Sequence, residues 1–376
     1  MQTGLKLKAG QWVEVLSKEE ILSTLDKRGQ LDGLPFMPQM VQCCGKRFRV
    51  FKRAHKTCDT INLTGGRRMT NAVHLEGIRC DGAAYGGCQT LCLIFWKEAW
   101  LKPVTGTRPA EQRSNDGPAR HDQTPGTSSC TESDVWAGTR VKDENAANEP
   151  TYVCQATQLP SATTLLPWWE FSQYVEDYTS GNATLGRMFR GFLYSSYHSL
   201  IQSGIGLGPF LRWFYDRIQS LWGGIPYPRK RGTIPVREPT PSGTLNLQPG
   251  ELVRVKSHKE ILATLNTEGK NRGLYFDAES VPFCGGTYRV LKRVSKIVDE
   301  KTGRLMQFKN ESVILEEVYC QARYSSCRMF CPRAIYPYWR EIWLERVGKA
   351  PESAEAKPMV REHIGSGAHC GSAKDD

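Results

Sequence analysis

Alternating apolar and polar residues open the chain, and the same pattern returns 240 residues later. Residues 10–15 alternate as expected of a strand with one face on a core. Ser17 and Glu20 then form a capping box, and the apolar spacing after it predicts a short helix that ends near Gly29. Matching residue n with residue n+240 over residues 10–59 gives 22 identities in 50 positions. The pattern therefore predicts an internal duplication.

Two further strand patterns follow in each copy. Lys46–Arg53 matches Thr287–Arg293, and Ala72–Ile78 matches Ser312–Val318. Each copy thus predicts about four or five short strands and one small helix, which favours an SH3-like barrel or a curved sheet. We expect an α+β protein with two homologous β-rich modules, the first module at residues 8–104 and the second module at residues 247–348.

The segments between and after the modules differ in composition. Residues 105–150 are poor in aliphatic residues and predict a disordered linker, and residues 349–376 predict a disordered tail. Residues 151–225 predict a helical insert, because apolar residues recur at helical spacing in Leu185–Leu200 and again in Pro209–Trp222. An acidic helix is expected before them, and residues 226–246 predict a stiff linker rich in proline and basic residues.

The composition indicates the cellular compartment and the role of the cysteines. The chain has 376 residues, a net charge of +11 and no apolar run of about 18 residues, so we expect a cytoplasmic protein. In a reducing compartment its 13 cysteines favour metal ligands or core thiols over disulfides.

A repeated set of cysteines is the main candidate for chemistry. Both copies keep a Cys-x3-Cys pair, and each adds one thiol before that pair and one further upstream beside a glycine. The two predicted sets are Cys44, Cys80, Cys88 and Cys92, and Cys284, Cys320, Cys327 and Cys331. Four thiolates suit tetrahedral zinc, and an iron–sulfur cluster is the alternative. On a helical turn the Cys-x3-Cys thiols would point the same way, while Gly82, Gly86 and Gly87 would let the loop fold back toward Cys80.

The first copy has reactive side chains that the second lacks. His55 and Cys58 correspond to Ser295 and Val298, His74 to Ile314, and Cys43 to Phe283. One alternative is therefore an enzyme or redox component that uses Cys58 with His55 or His74. The bland interpretation is that they are ordinary strand and loop residues, and we predict no catalytic residue.

A repeated basic strand suggests a second alternative, a nucleic-acid-binding protein. Its residues are Arg49, Lys52, Arg53, Lys56, Arg289, Lys292, Arg293 and Lys296. Such residues contact phosphates when they share an exposed face, although a solvated strand face is their commoner origin. The pairs Trp96/Trp100 and Trp339/Trp343 sit at helical spacing and are expected to cover each core.

No Walker A, GxGxxG, HExxH or GxSxG pattern occurs in a usable context, which argues against common nucleotide-dependent enzymes and hydrolases. The phrases KRAHKTCDT, CQARYSSCRMFCP and YPYWREIWLERV resemble a family of uncharacterised bacterial proteins, and this resemblance implies no activity. We expect a zinc-stabilised binding or scaffold protein that holds a protein partner between its modules. Nucleic acid or a membrane surface is the alternative partner.

Overall fold

Helices and antiparallel strands both occur in the computed structural model, which describes residues 4–104, 130–141 and 150–348. In chain order the strands are β1 (Trp12–Val15), β2 (Gln30–Leu31), β3 (Leu34–Pro35), β4 (Arg47–Arg53), β5 (Lys56–Cys58), β6 (Gly66–Arg68), β7 (Ala72–Arg79), β8 (Leu93–Lys97), β9 (Leu101–Pro103), β10 (Thr164–Leu166), β11 (Leu252–Val255), β12 (Lys270–Asn271), β13 (Leu274–Tyr275), β14 (Thr287–Val298), β15 (Leu305–Leu315), β16 (Trp339–Arg340) and β17 (Leu344–Arg346). The helices are α1 (Lys18–Ser23), α2 (Glu132–Ala137), α3 (Leu159–Ala162), α4 (Ser172–Thr179), α5 (Leu185–Gln202), α6 (Gly208–Leu221) and α7 (His258–Leu262). Short 3₁₀ turns lie at Pro38–Cys43, Glu98–Trp100, Ala278–Phe283, Ser326–Arg328 and Glu341–Trp343.

Each module contains one five-stranded antiparallel sheet. The order is β8-β7-β4-β1-β9 in the first module and β16-β15-β14-β11-β17 in the second. Trp12 lies opposite Arg49, and Leu252 lies opposite Arg289, so the register is the same after a shift of 240. In both modules a 3₁₀ turn precedes the last strand, which pairs with the first. With its helices and antiparallel sheets, the chain has a mixed α+β fold, as predicted.

Both predicted capping boxes are confirmed. The Ser17 hydroxyl accepts from the Glu20 amide, and the Glu20 carboxylate accepts from the Ser17 amide. Ser257 and Glu260 repeat the arrangement before α7. Helix α1 ends at Ser23 rather than near Gly29, because the chain then turns into the β2–β3 hairpin.

The tryptophan pairs cover the cores as predicted, but they do not lie on helices. Trp96 is in β8 and Trp100 follows in a 3₁₀ turn, because the segment before Trp100 pairs with β7 instead of coiling. Both side chains are fully buried, and the ring of Phe36 lies 5.3 Å from that of Trp100. In the second module, Trp339 and Trp343 pack on Phe276 in the same way.

Later parts of the chain complete the core of the first module. Six residues beyond position 104 are buried in it, namely Cys130, Val135, Tyr152, Leu159, Ala162 and Val298. Strand β10 pairs with β6. Residues 130–141, inside the predicted linker, contain helix α2, which Thr131 caps. That part of the linker prediction is wrong, because Val135 supplies the apolar contact that a short helix needs. The rest of the linker at 105–129 and 142–149, and the predicted tail at 349–376, lie outside the described residues.

Two side-chain amides extend the backbone ladders of the first module. Gln155 accepts from the Phe95 amide at 2.8 Å and donates to the Phe95 carbonyl at 2.9 Å, on the outer edge of β8. Asn182 accepts from the Arg53 amide at 2.9 Å and donates to the Arg53 carbonyl at 2.7 Å. The insert is therefore joined to the first module by hydrogen bonds as well as by apolar packing.

The helices α4, α5 and α6 confirm the predicted helical insert. One face of α5 packs through Tyr194 and Ile201 on Tyr227 and Tyr324 of the chain that follows. The predicted linker at 226–246, all of it described, has only an isolated bridge between Ile234 and Asn266. Among the helices in the described part of the chain, none has the length and apolarity to cross a membrane.

Candidate functional site

Four cysteines line a small cavity where the two modules meet. The first thiol cluster consists of Cys80, Cys88, Cys92 and Cys154, and its cavity measures about 30 Å³. Val298 and Arg333 of the second module complete the lining. The space is large enough for one water molecule or ion.

A tight turn brings Cys80 and Cys88 of this cluster together. Gly82 has a φ of +76°, and a Cβ at this position would overlap the Cys88 carbonyl, so only glycine fits. The prediction that glycines fold this loop back is confirmed. Cys88 and Cys92 lie in irregular chain rather than on a helical turn. The Cys80 sulfur accepts from Gln39 Nε2 at 3.1 Å, and the Cys88 sulfur accepts from the Val298 amide at 3.3 Å.

Burial raises the pKa of three thiols of the first cluster. The pKa of Cys80 is raised to about 12, first by burial and then by repulsion from nearby Cys154 and Cys88. Burial likewise raises the pKa of Cys92 and of Cys154. At neutral pH these groups are therefore neutral thiols unless a cation replaces their protons.

The second thiol cluster combines residues from both modules. Cys58 at the end of β5 packs with Cys320, Cys331, Ala322 and Ile335 in a buried patch. Cys327 is exposed and lies against the backbone of Gly65, where a Cβ would be 3.2 Å from the Cys327 Cβ. The second cluster thus joins a cysteine found only in the first copy to the repeated cysteines of the second.

Within this cluster, Cys58 is the acidic thiol. A hydrogen bond from Cys331 lowers the pKa of Cys58, and the positive charges of Arg333 and Arg328 lower it further. The same hydrogen bond and burial raise the pKa of Cys331. Arg333 is held by Glu300 Oε1 at 2.8 Å and Thr60 Oγ1 at 2.8 Å. Cys58 is thus the more acidic thiol of the pair and Cys331 its hydrogen-bond donor, in a site with little access to water.

Cys44 and Cys284, the upstream cysteines of the two predicted metal sets, lie away from the other thiols of their sets. Cys44 lies near Cys43, Glu19 and Lys18, and Cys284 is half-buried near Tyr288. Cys154 and Cys58 instead lie beside the other predicted thiols. Within the described residues, no three His, Cys, Asp or Glu side chains form a group that could hold a metal ion. Binding of zinc or an iron–sulfur cluster stays a prediction that elemental analysis would test.

Both candidate histidines are buried and contact backbone carbonyls, and His55 also contacts a carboxylate. His74 Nδ1 lies 2.8 Å from the Ile94 carbonyl, and burial lowers the pKa of His74 to about 3. His55 Nε2 lies 3.3 Å from Asp177 Oδ1 and 3.2 Å from the Gln173 carbonyl of α4. The charged and thiol groups that shift the pKa of Cys58 include neither histidine.

A buried ion pair between the first module and the insert escaped the sequence analysis. Lys56 Nζ lies 2.5 Å from Asp177 Oδ2, and both side chains are inaccessible to water. Arg53 extends the contact through Glu98 at 2.5 Å and Glu176 at 2.7 Å. The acidic residues before α5 were visible in the sequence, but nothing there indicated that they pair with the basic strand.

The repeated basic strand does not form an exposed row. Of its eight residues, Arg53 and Lys56 are buried, five are half-buried, and only Arg289 is exposed. Arg289 donates to the Gly250 carbonyl at 2.5 Å, and Arg293 donates to the Leu247 carbonyl at 2.7 Å. Little of the positive charge on this strand is exposed to solvent. Nucleic-acid binding by the strand therefore stays a prediction with weak support.

An exposed apolar surface lies on the outward sides of α5 and α6. We call it the hairpin face, and it consists of Leu185, Phe189, Leu193, Leu200, Phe210, Trp213, Phe214 and Leu221. On each helix these residues recur at three- and four-residue spacing and so form one stripe. The spacing was recognised in the sequence, but it could not distinguish the side that packs from the side that faces solvent.

The comparisons with known proteins give no family. Neither a scan against protein-family models nor a search of curated proteins finds a match. The resemblance to uncharacterised bacterial proteins therefore stays a prediction, and the functional argument rests on this chain alone.

Proposed function

We propose that this protein is a binding or scaffold protein, in which two joined modules present the hairpin face to a partner. The observation that carries the proposal is the exposure of the apolar side chains on α5 and α6, because monomeric proteins rarely expose large contiguous apolar patches without a binding role. The shared strand order and register support the further proposal that the modules are duplicated SH3-like barrels.

A partner between the modules, as the sequence suggested, would have to displace direct contacts. Gln89 of the first module accepts from the Ser295 and Lys296 amides at 2.7 and 3.0 Å. Arg79 donates to the Ala334 carbonyl at 3.1 Å and stacks on Tyr336 at 4.0 Å. Because these contacts join the two modules directly, we propose that the modules form one rigid support. We therefore propose the hairpin face, and not the space between the modules, as the binding surface.

Site-specific photocrosslinking in the producing cell tests the proposal. A benzophenone side chain at position 189 or 213 is expected to capture a partner, whether protein or lipid. The same group at Leu63, which is 78% exposed on the first module, is expected to capture none. Equal labelling at both places, or none at the hairpin, would contradict a binding role for this face.

The pairing of Cys58 with Cys331 favours a second candidate, a redox component. Exchange with a disulfide oxidant such as oxidised glutathione would form the Cys58–Cys331 S–S bond and break that of the oxidant, which takes the two electrons and the protons and leaves as two molecules of reduced glutathione. We expect the intact protein to lose two titratable thiols in an oxidising glutathione buffer, and Cys58→Ser to lose none. Cys284→Ser, which changes a thiol outside both clusters, is the matched control and should behave as the wild type. Retention of every thiol by the wild type would eliminate this candidate.

A further inference from the structure

We propose that the hairpin face binds the surface of an anionic lipid membrane. This inference rests on the proposed binding function and names the partner. The side chains, the charge and the dimensions of the hairpin each support it.

The hairpin face has the composition of a membrane-interface helix. Phe189 is 69% exposed and Trp213 is 60% exposed, and aliphatic residues flank both along their helices. The turn between α5 and α6 adds exposed Ile205 and Leu207, and Trp222 follows α6. Bulky aliphatic and aromatic residues on one helix side are what interfacial helices bury among lipid headgroups and acyl chains.

The charge of the same segment matches an anionic surface. Between Tyr178 and Arg237 the chain has eight Lys and Arg residues and one acidic residue, Asp216. That carboxylate is half-buried, where it accepts from the Tyr227 amide at 2.7 Å and pairs with Lys230. Arg190 and Arg217 are exposed on the helices that carry the apolar stripes. Basic residues near an anionic bilayer strengthen binding, whereas an acidic surface would be repelled.

The lengths of the helices fit a hairpin that lies in the plane of the membrane. Helix α6 has 14 residues, which corresponds to about 21 Å, and the hydrocarbon core is about 30 Å thick. Opposite the hairpin face, Tyr194 and Ile201 are already packed against the protein. Only one side of the hairpin is therefore available, and the modules would stay in water.

Vesicle sedimentation of the full-length protein tests the inference. We expect binding to vesicles rich in phosphatidylglycerol, and at least tenfold weaker binding to pure phosphatidylcholine vesicles. Phe189→Ser with Trp213→Ser is expected to abolish binding. Trp12→Ser with Leu63→Ser is the matched control, because it removes an aromatic and an aliphatic side chain, 50% and 78% exposed, from the first module.

Arg190→Glu with Arg217→Glu is expected to weaken anionic binding by roughly tenfold or more, and added salt should do the same. Circular dichroism of each variant checks that it is folded.

The outcomes separate this inference from the proposed function. Equal binding to both kinds of vesicle, or no effect of the hairpin substitutions, would overturn the membrane proposal. If vesicles do not bind but position 189 or 213 crosslinks to a protein in cells, the hairpin binds a protein, and only the membrane inference fails. A dimer in light scattering that dissociates in the Trp213→Ser variant would make a second copy of the chain the partner. If neither vesicles nor crosslinks respond to changes in the hairpin, both proposals fail.

Discussion

The two modules share a strand order, yet different parts of the chain complete them. The core of the first module includes Cys130, Val135, Tyr152, Leu159 and Ala162 from beyond its own sequence, and Val298 from the second module. Among the residues that the structure describes, the core of the second module is made of residues between Ile225 and Leu344. Two modules with the same strand order can therefore differ in whether they fold alone, because the core of one is completed by apolar residues from distant segments.

The largest expected effect of this difference is on isolated fragments. Residues 225–348 should fold alone with a cooperative thermal transition, because their core is self-contained. Residues 4–104 should stay unfolded, because several core positions would face water. Circular dichroism and NMR dispersion measure both, and residues 4–182 should recover folding as the control. Cooperative folding of residues 4–104 alone would remove the distinction between the modules.

The next largest effect on stability is expected from the buried ion pair between Lys56 and Asp177. Asp177→Asn leaves Lys56 charged and buried, and such losses cost about 3–5 kcal/mol of unfolding free energy. The control is Glu268→Gln, which breaks an exposed pair with Lys270 in the second module and should cost about 0–1 kcal/mol. Denaturant unfolding gives both values, and equal losses would contradict the description of the Lys56–Asp177 pair as a buried contact between the insert and the first module.

His74 should give the first module a pH dependence of its own, beside the one that buried His258, with its pKa lowered to about 4, gives the second. Its pKa is about 3 when folded, against the ordinary value of 6.5. The unfolded chain therefore takes up a proton first, and the free energy of unfolding should fall by up to about 1.4 kcal/mol per pH unit below about pH 6.5. His74→Ile introduces the residue found at the matching position, Ile314, and should remove this part of the slope. Identical slopes for wild type and variant between pH 6.5 and 4.5 would refute the prediction.

A shared feature should give a small and equal effect in both modules. The Trp100 indole donates to the Thr24 hydroxyl at 3.1 Å, and the Trp343 indole donates to the Thr264 hydroxyl at 2.9 Å. Thr24→Val and Thr264→Val should each cost about 1 kcal/mol, since each leaves an indole N–H without its acceptor. Thermal unfolding compares them, and a large inequality would mean that the cores differ more than their geometry indicates.

The sequence predicted the features that local spacing determines. The capping boxes, the paired strands and helices α5 and α6 follow from patterns of a few residues. The places of Cys154 and Cys58 in the thiol clusters and the Lys56–Asp177 pair were not predicted, because long-range packing brings together residues more than sixty positions apart. A hint was present, since Cys58 has no counterpart in the second copy and Cys154 lies in the insert, so neither belongs to the repeated pattern. Helix α2 was missed because a single apolar residue, Val135, is enough to anchor it.

The carboxamides of Gln155 and Asn182 have a consequence for how the chain behaves among other copies of itself. Each occupies the backbone donor and acceptor of one strand residue, at Phe95 and Arg53. Because β8 is the edge strand of its sheet, replacing Gln155 with leucine would leave the Phe95 amide and carbonyl open to a foreign strand. The harm would appear as turbidity that grows with protein concentration, together with a lower melting temperature, because buried polar groups lose their partners.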